Sequence, residues 1–180
     1  MLSVKELRPL ASRLKAAQFR KQLGPFALVQ RPGPEHARTL SDELPPGAQH
    51  TTVARPEQVT ANALALLFQF DDLLVATVPP LQGVDELVVG RAPDTELNLE
   101  DGSVSKRHAV LRWDEATQRC TVQDLGSTNG TYLNASIRIR RETVLKDGDI
   151  LSFGEVQYWF LLTPTLYQKL RGARPRNINL

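Results

Sequence analysis

A single cysteine, Cys120, stands in 180 residues, so no disulfide within the chain can staple the fold. Its flanks, Gln118-Arg119-Cys120-Thr121-Val122, read as strand and make it a buried structural thiol. Long apolar runs are missing too. The most apolar window, Ala63 to Phe70, is far shorter than the roughly 20 residues a membrane helix needs. No early stretch has the form of a signal peptide, so the expectation is a cytoplasmic protein with no membrane span. Charge of neither sign dominates: 22 Lys and Arg against 20 Asp and Glu leave a net +2, which does not mark the whole chain as a polyanion binder. The three histidines offer no metal-ligand spacing, His36 and His50 lying in a proline-rich stretch well before His108. Gly-rich phosphate loops, paired-carboxylate motifs and a nucleophile with its base are also lacking, so no metal, cofactor or catalytic residue is expected.

What is there divides into four parts. Residues 1–24 read as a basic amphipathic helix: Ser3 and Glu6 form a capping-box pattern, and Val4, Leu7, Leu10, Leu14 and Ala17 recur at helical spacing. Lys5, Arg8, Arg13, Lys15, Arg20 and Lys21 face only Glu6, and Gly24-Pro25 stops the helix. Its apolar stripe either packs on the main domain or docks a second partner. With Phe19 its only aromatic, it is a poor nucleic-acid stacking surface. Residues 25–72 form a proline-rich arm, with a short strand at Phe26 to Gln30 and a possible helix over 57–70 opened by Pro56. Thr39, Thr51 and Thr52 sit in this arm as candidate phosphorylation sites. A modified threonine there would meet a reader in the same chain at high effective concentration.

From residue 73 to 163 the texture is that of strands. Leu73–Val78, Glu86–Gly90, Leu97–Leu99, Ala109–Trp113, Cys120–Leu125, Thr131–Leu133, Ile137–Ile139, Thr143–Leu145, Ile150–Phe153 and Val156–Leu162 are short apolar runs separated by turn signals. That density predicts a mainly β, antiparallel sandwich with an N-terminal helical and proline-rich extension. Residues 164–180, with Lys169, Arg171, Arg174 and Arg176 and no acid, read as a basic C-terminal tail.

Three polar clusters stand at strand ends. Arg91 follows Gly90 and presents a planar fork suited to phosphate oxygens. Ser105-Lys106-Arg107-His108 combines a hydroxyl, two cations and a ring that can hold the loop. Asp124 to Thr131 reads as a hairpin end around Asn129-Gly130, residues that tolerate positive φ. It is either an ordinary turn or a loop whose tip amide bonds the N–H and C=O of an extended ligand.

Taken together, these clusters resemble the forkhead-associated (FHA) domain family. The matching text is Val89-Gly90-Arg91, Asn98-Leu99, Val104 to Ala109, Asp124 to Asn134, Leu145, Gly148-Asp149-Ile150 and Phe153-Gly154, about half the chain. The resemblance implies an eleven-strand β-sandwich that binds phosphothreonine in partner proteins modified by an upstream Ser/Thr kinase. It implies that Arg91 binds the phosphate, Ser105 bonds it through its hydroxyl, Lys106 lends its backbone N–H and Arg107 its charge. Thr128 would contact the phosphothreonine and Asn129 the flanking backbone, while Gly90, His108, Asp124, Gly130 and Asn134 would shape the loops. The function implied is a phosphothreonine-dependent adaptor; the alternative is a scaffold with the same sandwich that binds partners without phosphate.

Overall fold

The computed structural model describes residues 1–31, 68, 71, 73–77 and 86–172. The expected helix over 57–70 lies outside them except for Phe68, and so do Thr39, Thr51, Thr52 and the chain after Gly172. Twelve strands and three helices are described. The strands are β1 (Leu2–Ser3), β2 (Phe26–Gln30), β3 (Leu74–Thr77), β4 (Glu86–Gly90), β5 (Leu97–Asn98), β6 (Ala109–Asp114), β7 (Arg119–Asp124), β8 (Thr131–Leu133), β9 (Ile137–Arg138), β10 (Thr143–Leu145), β11 (Ile150–Phe153) and β12 (Val156–Leu162). All ten strands expected after residue 73 are present, with ends shifted by a residue or so.

They form two sheets, in orders β10-β7-β6-β4-β5 and β1-β3-β2-β12-β11-β8-β9. All pairings are antiparallel except β4 with β5. Period-two alternation sends Phe26, Leu28, Leu87, Val89, Leu111, Trp113, Cys120, Val122, Phe153, Tyr158 and Phe160 into the core between the sheets. Cys120 is 1% exposed there, and burial pushes its thiol pKa far up, so it is an inert apolar filler.

The outer face of the larger sheet is also covered. Ala27, Val29, Val75, Trp159 and Leu161 point outward into a second core built with the helices. This explains why β2 reads Phe-Ala-Leu-Val without alternation: both its faces are buried. The strand expected at the start of the arm is therefore an inner strand of the sandwich, paired with β3 and β12.

Three helices make this layer: α1 (Val4–Arg13), α2 (Ala16–Leu23) and α3 (Thr163–Gly172). Ser3 and Glu6 form the expected capping box, with Ser3 N–H donating to Glu6 Oε2 at 2.7 Å. The single helix expected within residues 1–24 is instead two, broken at Leu14-Lys15. The break rotates the second segment so that Phe19 and Leu23 are buried while Ala17 is exposed. Tyr167 of α3 donates its hydroxyl to the freed Leu14 carbonyl at 2.9 Å, and its ring lies 5.2 Å from Phe19. The start of the expected basic tail is thus the helix α3, anchored by Leu166 and Leu170. The basic face is partly neutralised within the fold: Arg8 pairs with Asp71, and Arg20 with Glu115.

Candidate functional site

Three loops meet at one end of the sandwich. The first follows β4, the second runs from Ser103 to His108 into β6, and the third links β7 to β8. That third loop is not the hairpin end expected from the Asn-Gly signal. β7 lies in one sheet and β8 in the other, so residues 125–130 cross between the layers. Sequence adjacency of two strands with a turn signal suggests pairing, but β7 pairs with β6 and β10, and β8 with β11 and β9.

The first two loops are clamped together. Arg91 N–H donates to the Ser105 carbonyl at 2.9 Å and Ala92 N–H to the Lys106 carbonyl at 3.1 Å. Approach is so close at Gly90 that a β-carbon there would lie 2.1 Å from the Lys106 carbonyl oxygen, which only glycine avoids. Arg91 is exposed, with Nε donating to the Val104 carbonyl at 3.1 Å. This single bond aims the side chain along the Ser103–His108 loop and leaves both terminal nitrogens without a partner among the described residues.

Ser105 is held on three sides. Its N–H donates to His108 Nδ1 at 3.1 Å, its carbonyl accepts from Arg91, and its hydroxyl oxygen accepts the Thr128 N–H at 3.0 Å. The two hydroxyls, Ser105 Oγ and Thr128 Oγ1, are 3.4 Å apart, a long contact that leaves both able to turn toward a ligand. Lys106 and Arg107 are exposed, and Arg107 makes only a loose 3.9 Å ion pair with Asp94.

His108 is fully buried. Because Nδ1 accepts from Ser105, Nε2 carries the proton and donates to the Gly130 carbonyl at 3.1 Å. The ring thus ties the second loop to the third. Burial lowers its pKa, against weaker raising effects of the Gly130 carbonyl and Asp124, so it is a neutral strut. Asp124 organises the third loop: Oδ1 accepts the Gly126 and Ser127 N–H groups, and Oδ2 accepts the Ser127 and Thr131 hydroxyls. Burial raises its pKa, but these donors outweigh it and hold the carboxyl below its ordinary value. Asn129 is exposed at the tip, and its amide N–H donates to the Ser103 carbonyl at 2.8 Å, leaving Oδ1 directed away as an acceptor. Asn134 stands apart from this end. It makes the β8–β9 turn at φ 51° and clips it to Asp149 and the Ile150 N–H.

A family model of the FHA domain matches residues 87–154. An oxoglutarate dehydrogenase inhibitor of Corynebacterium efficiens is 33% identical over 132 residues, covering 73% of this chain and 78% of the relative. This chain belongs to the FHA domain family. Glycogen accumulation regulator GarA of Mycobacterium tuberculosis is 31% identical over 73% of this chain and 68% of its own. A solved structure from a study of phosphothreonine-dependent FHA domain interactions is 35% identical, covers 43% of this chain and 77% of its own, and superposes with a TM-score of 0.40. The family match starts in β4, so β1–β3 and α1–α3 surround the part it defines.

Several residues that position the FHA loops were assigned no role from sequence, Asn98 standing only in the matching text. Asn98 donates to the Arg91 and Ala92 carbonyls at 3.1 and 2.9 Å, and Thr95 to the Gly90 and Ala92 carbonyls. Ser103 donates to Asp101 at 2.6 Å and accepts the Glu155 N–H at 2.9 Å, which fixes the carbonyl that holds Asn129. Only the last had a legible signal: Asp101-Gly102-Ser103 is an Asx-turn sequence.

Proposed function

We propose that the chain is a phosphothreonine-dependent protein-binding adaptor in Ser/Thr-kinase signalling or regulated complex assembly. The observation that carries this reading is the convergence of Arg91, Ser105, Thr128 and Asn129 at one loop end, linked by the Arg91–Ser105, Ser105–Thr128 and Asn129–Ser103 hydrogen bonds. Arg91 and Ser105 supply a guanidinium fork and a hydroxyl for a phosphate carrying about −1.5 to −2 charges at neutral pH. The Lys106 N–H, which has no backbone partner among the described residues, and the Arg107 charge add to that pole. Asn129 Oδ1 accepts a peptide N–H beside the phosphothreonine. Gly90, His108, Asp124 and Gly130 hold the three loops in place, and Asn134 supports them from the far end of β8.

Such an assembly binds and releases rather than reacts, since it pairs no nucleophile with a base. The regulator and inhibitor relatives point the same way. The partner is a phosphothreonine-bearing protein together with its upstream kinase, and we place the encounter in the cytoplasm. Among the described residues no helix is long and apolar enough to cross a membrane. The exposed cations Lys5, Arg13, Lys15 and Lys21 of the helical layer offer a second partner surface.

Fluorescence anisotropy against phosphothreonine, phosphoserine and unphosphorylated peptide pools tests this. Binding to the phosphothreonine pool alone supports it, with a loss of about tenfold or more in Arg91→Ala from one charge-assisted bond of roughly 1.5–3 kcal/mol. Equal binding to all three pools favours the phosphate-independent scaffold.

A further inference from the structure

At the loop end Arg107 faces Asp94 at 3.9 Å, and further along the sandwich Arg112 is bonded to Glu86 and Glu142 and Arg20 to Glu115. Arg138 has no such partner. It is exposed on β9 and makes no ion pair or side-chain hydrogen bond with any described residue. Its strand partner is Tyr132 of β8. Both project to the outer face, because Leu133 and Ile139 beside them are buried inward.

That position is directly under the recognition tip. A β-carbon built on Gly130 would lie 3.0 Å from Arg138 Nε, 3.4 Å from its Cζ and 3.2 Å from Tyr132 Cε2. Gly130 is the residue after Asn129, and its carbonyl accepts from His108 Nε2. An extended peptide with its phosphate at Arg91 and Ser105 and its backbone on Asn129 would carry a flanking side chain within reach of Gly130, at about 3.3 Å per residue. There it meets the Arg138 guanidinium, with the half-buried Tyr132 ring beside it. Arg140 and Arg141 follow, both exposed, and no acid intervenes from Gly126 to Arg141. The charges carried by this stretch of chain are therefore all positive, and the exposed Glu155 stands across from it, its N–H donating to Ser103 Oγ at 2.9 Å.

We propose that Arg138 is a specificity-determining residue that selects an acidic side chain flanking the phosphothreonine. This rests on the phosphothreonine reading above. The contact is solvent-exposed, so it discriminates modestly: an exposed ion pair of about 1 kcal/mol or less corresponds to about fivefold at most.

The test is anisotropy of the full chain and its R138Q and R138E variants against phosphothreonine peptides carrying Asp, Ala or Lys at each position on either side of the phosphothreonine. The expected result is a preference of wild type for Asp over Ala at one flank of about two- to fivefold. R138Q abolishes that preference without weakening the Ala peptide, and R138E turns it toward Lys. An Asp preference that persists in R138Q overturns the assignment, as does wild type that binds phosphothreonine with no acidic preference at any position. Failure to bind any phosphothreonine peptide overturns the parent reading, and this proposal with it, and is told apart by the Ala-peptide arm alone.

Discussion

At the scale of single residues, His108 links the fold to the site most tightly. Its two ring nitrogens join the Ser105 amide to the Gly130 carbonyl inside a closed pocket, so it must be neutral to do both. Burial lowers its pKa in the fold, while in the unfolded chain it titrates near its ordinary value of roughly 6.5. The unfolded state therefore binds more protons below that value. The stability from His108 is complete above about pH 6.5 and declines as pH falls toward the folded pKa. Urea unfolding should show the midpoint dropping from about pH 7 to 5, and dropping less in His108→Gln, which starts lower by about 1–3 kcal/mol for unpaired buried groups. Parallel pH profiles would contradict this. Gly90 makes a second case. Gly90→Ala places a methyl against the Lys106 carbonyl, so the first two loops must separate. Overpacking of this kind costs about 1–3 kcal/mol. A lowered Tm together with weakened phosphopeptide binding is expected; unchanged binding would show that the clamp is dispensable.

At the scale of elements, the strands from Leu74 to Leu162 were legible because each is short, apolar and bounded by Gly, Pro or Asx turns. The helical capping at Ser3 and Glu6 was legible for the same local reason. What local patterns do not contain is pairing. Asn129-Gly130 looks like a hairpin tip, yet the chain changes sheets there, because β8 finds its partners in β9 and in β11, whose Phe153 it faces at Thr131. The stripe from Val4 to Ala17 was continuous enough to suggest one helix, and only α3, more than 140 residues later, explains the break by packing against both halves. The loop residues Arg91, Ser105 and Asn129 were visible as chemistry and Ser103 as the end of an Asx-turn sequence, whereas Thr95 and Asn98 act through backbone carbonyls that no spacing rule exposes. The same long-range logic yields an element-level prediction. A fragment of residues 73–163, the span with strand texture, lacks β2, the strand between β3 and β12. Its removal parts β3 from β12, and the fragment also lacks the helices that cover Val75, Trp159 and Leu161. By circular dichroism and thermal melting, this fragment should fail to unfold cooperatively, and a cooperative transition equal to that of the full chain would refute the account of β2 as an inner strand.

At the scale of the whole molecule, the described parts form three layers: a five-stranded sheet, a seven-stranded sheet and a helical cover made from both ends of the chain. The FHA loops open at one end of the sandwich, and the helices cover its outer face around β2, β3 and β12. The loop end gathers the exposed cations Arg91, Lys106, Arg107 and Arg138, and the helical layer keeps Lys5, Arg13, Lys15 and Lys21 exposed while Arg8 and Arg20 are paired off. The division makes the location of binding testable in one experiment. Backbone NMR chemical shifts of the labelled chain should be followed during titration with a phosphothreonine peptide and with its unphosphorylated twin. The account predicts the largest shifts at Arg91, Ser105 to Arg107 and Thr128 to Gly130, seen with the phosphorylated peptide only. Equal shifts with both peptides, or shifts centred on α1–α3, would contradict it.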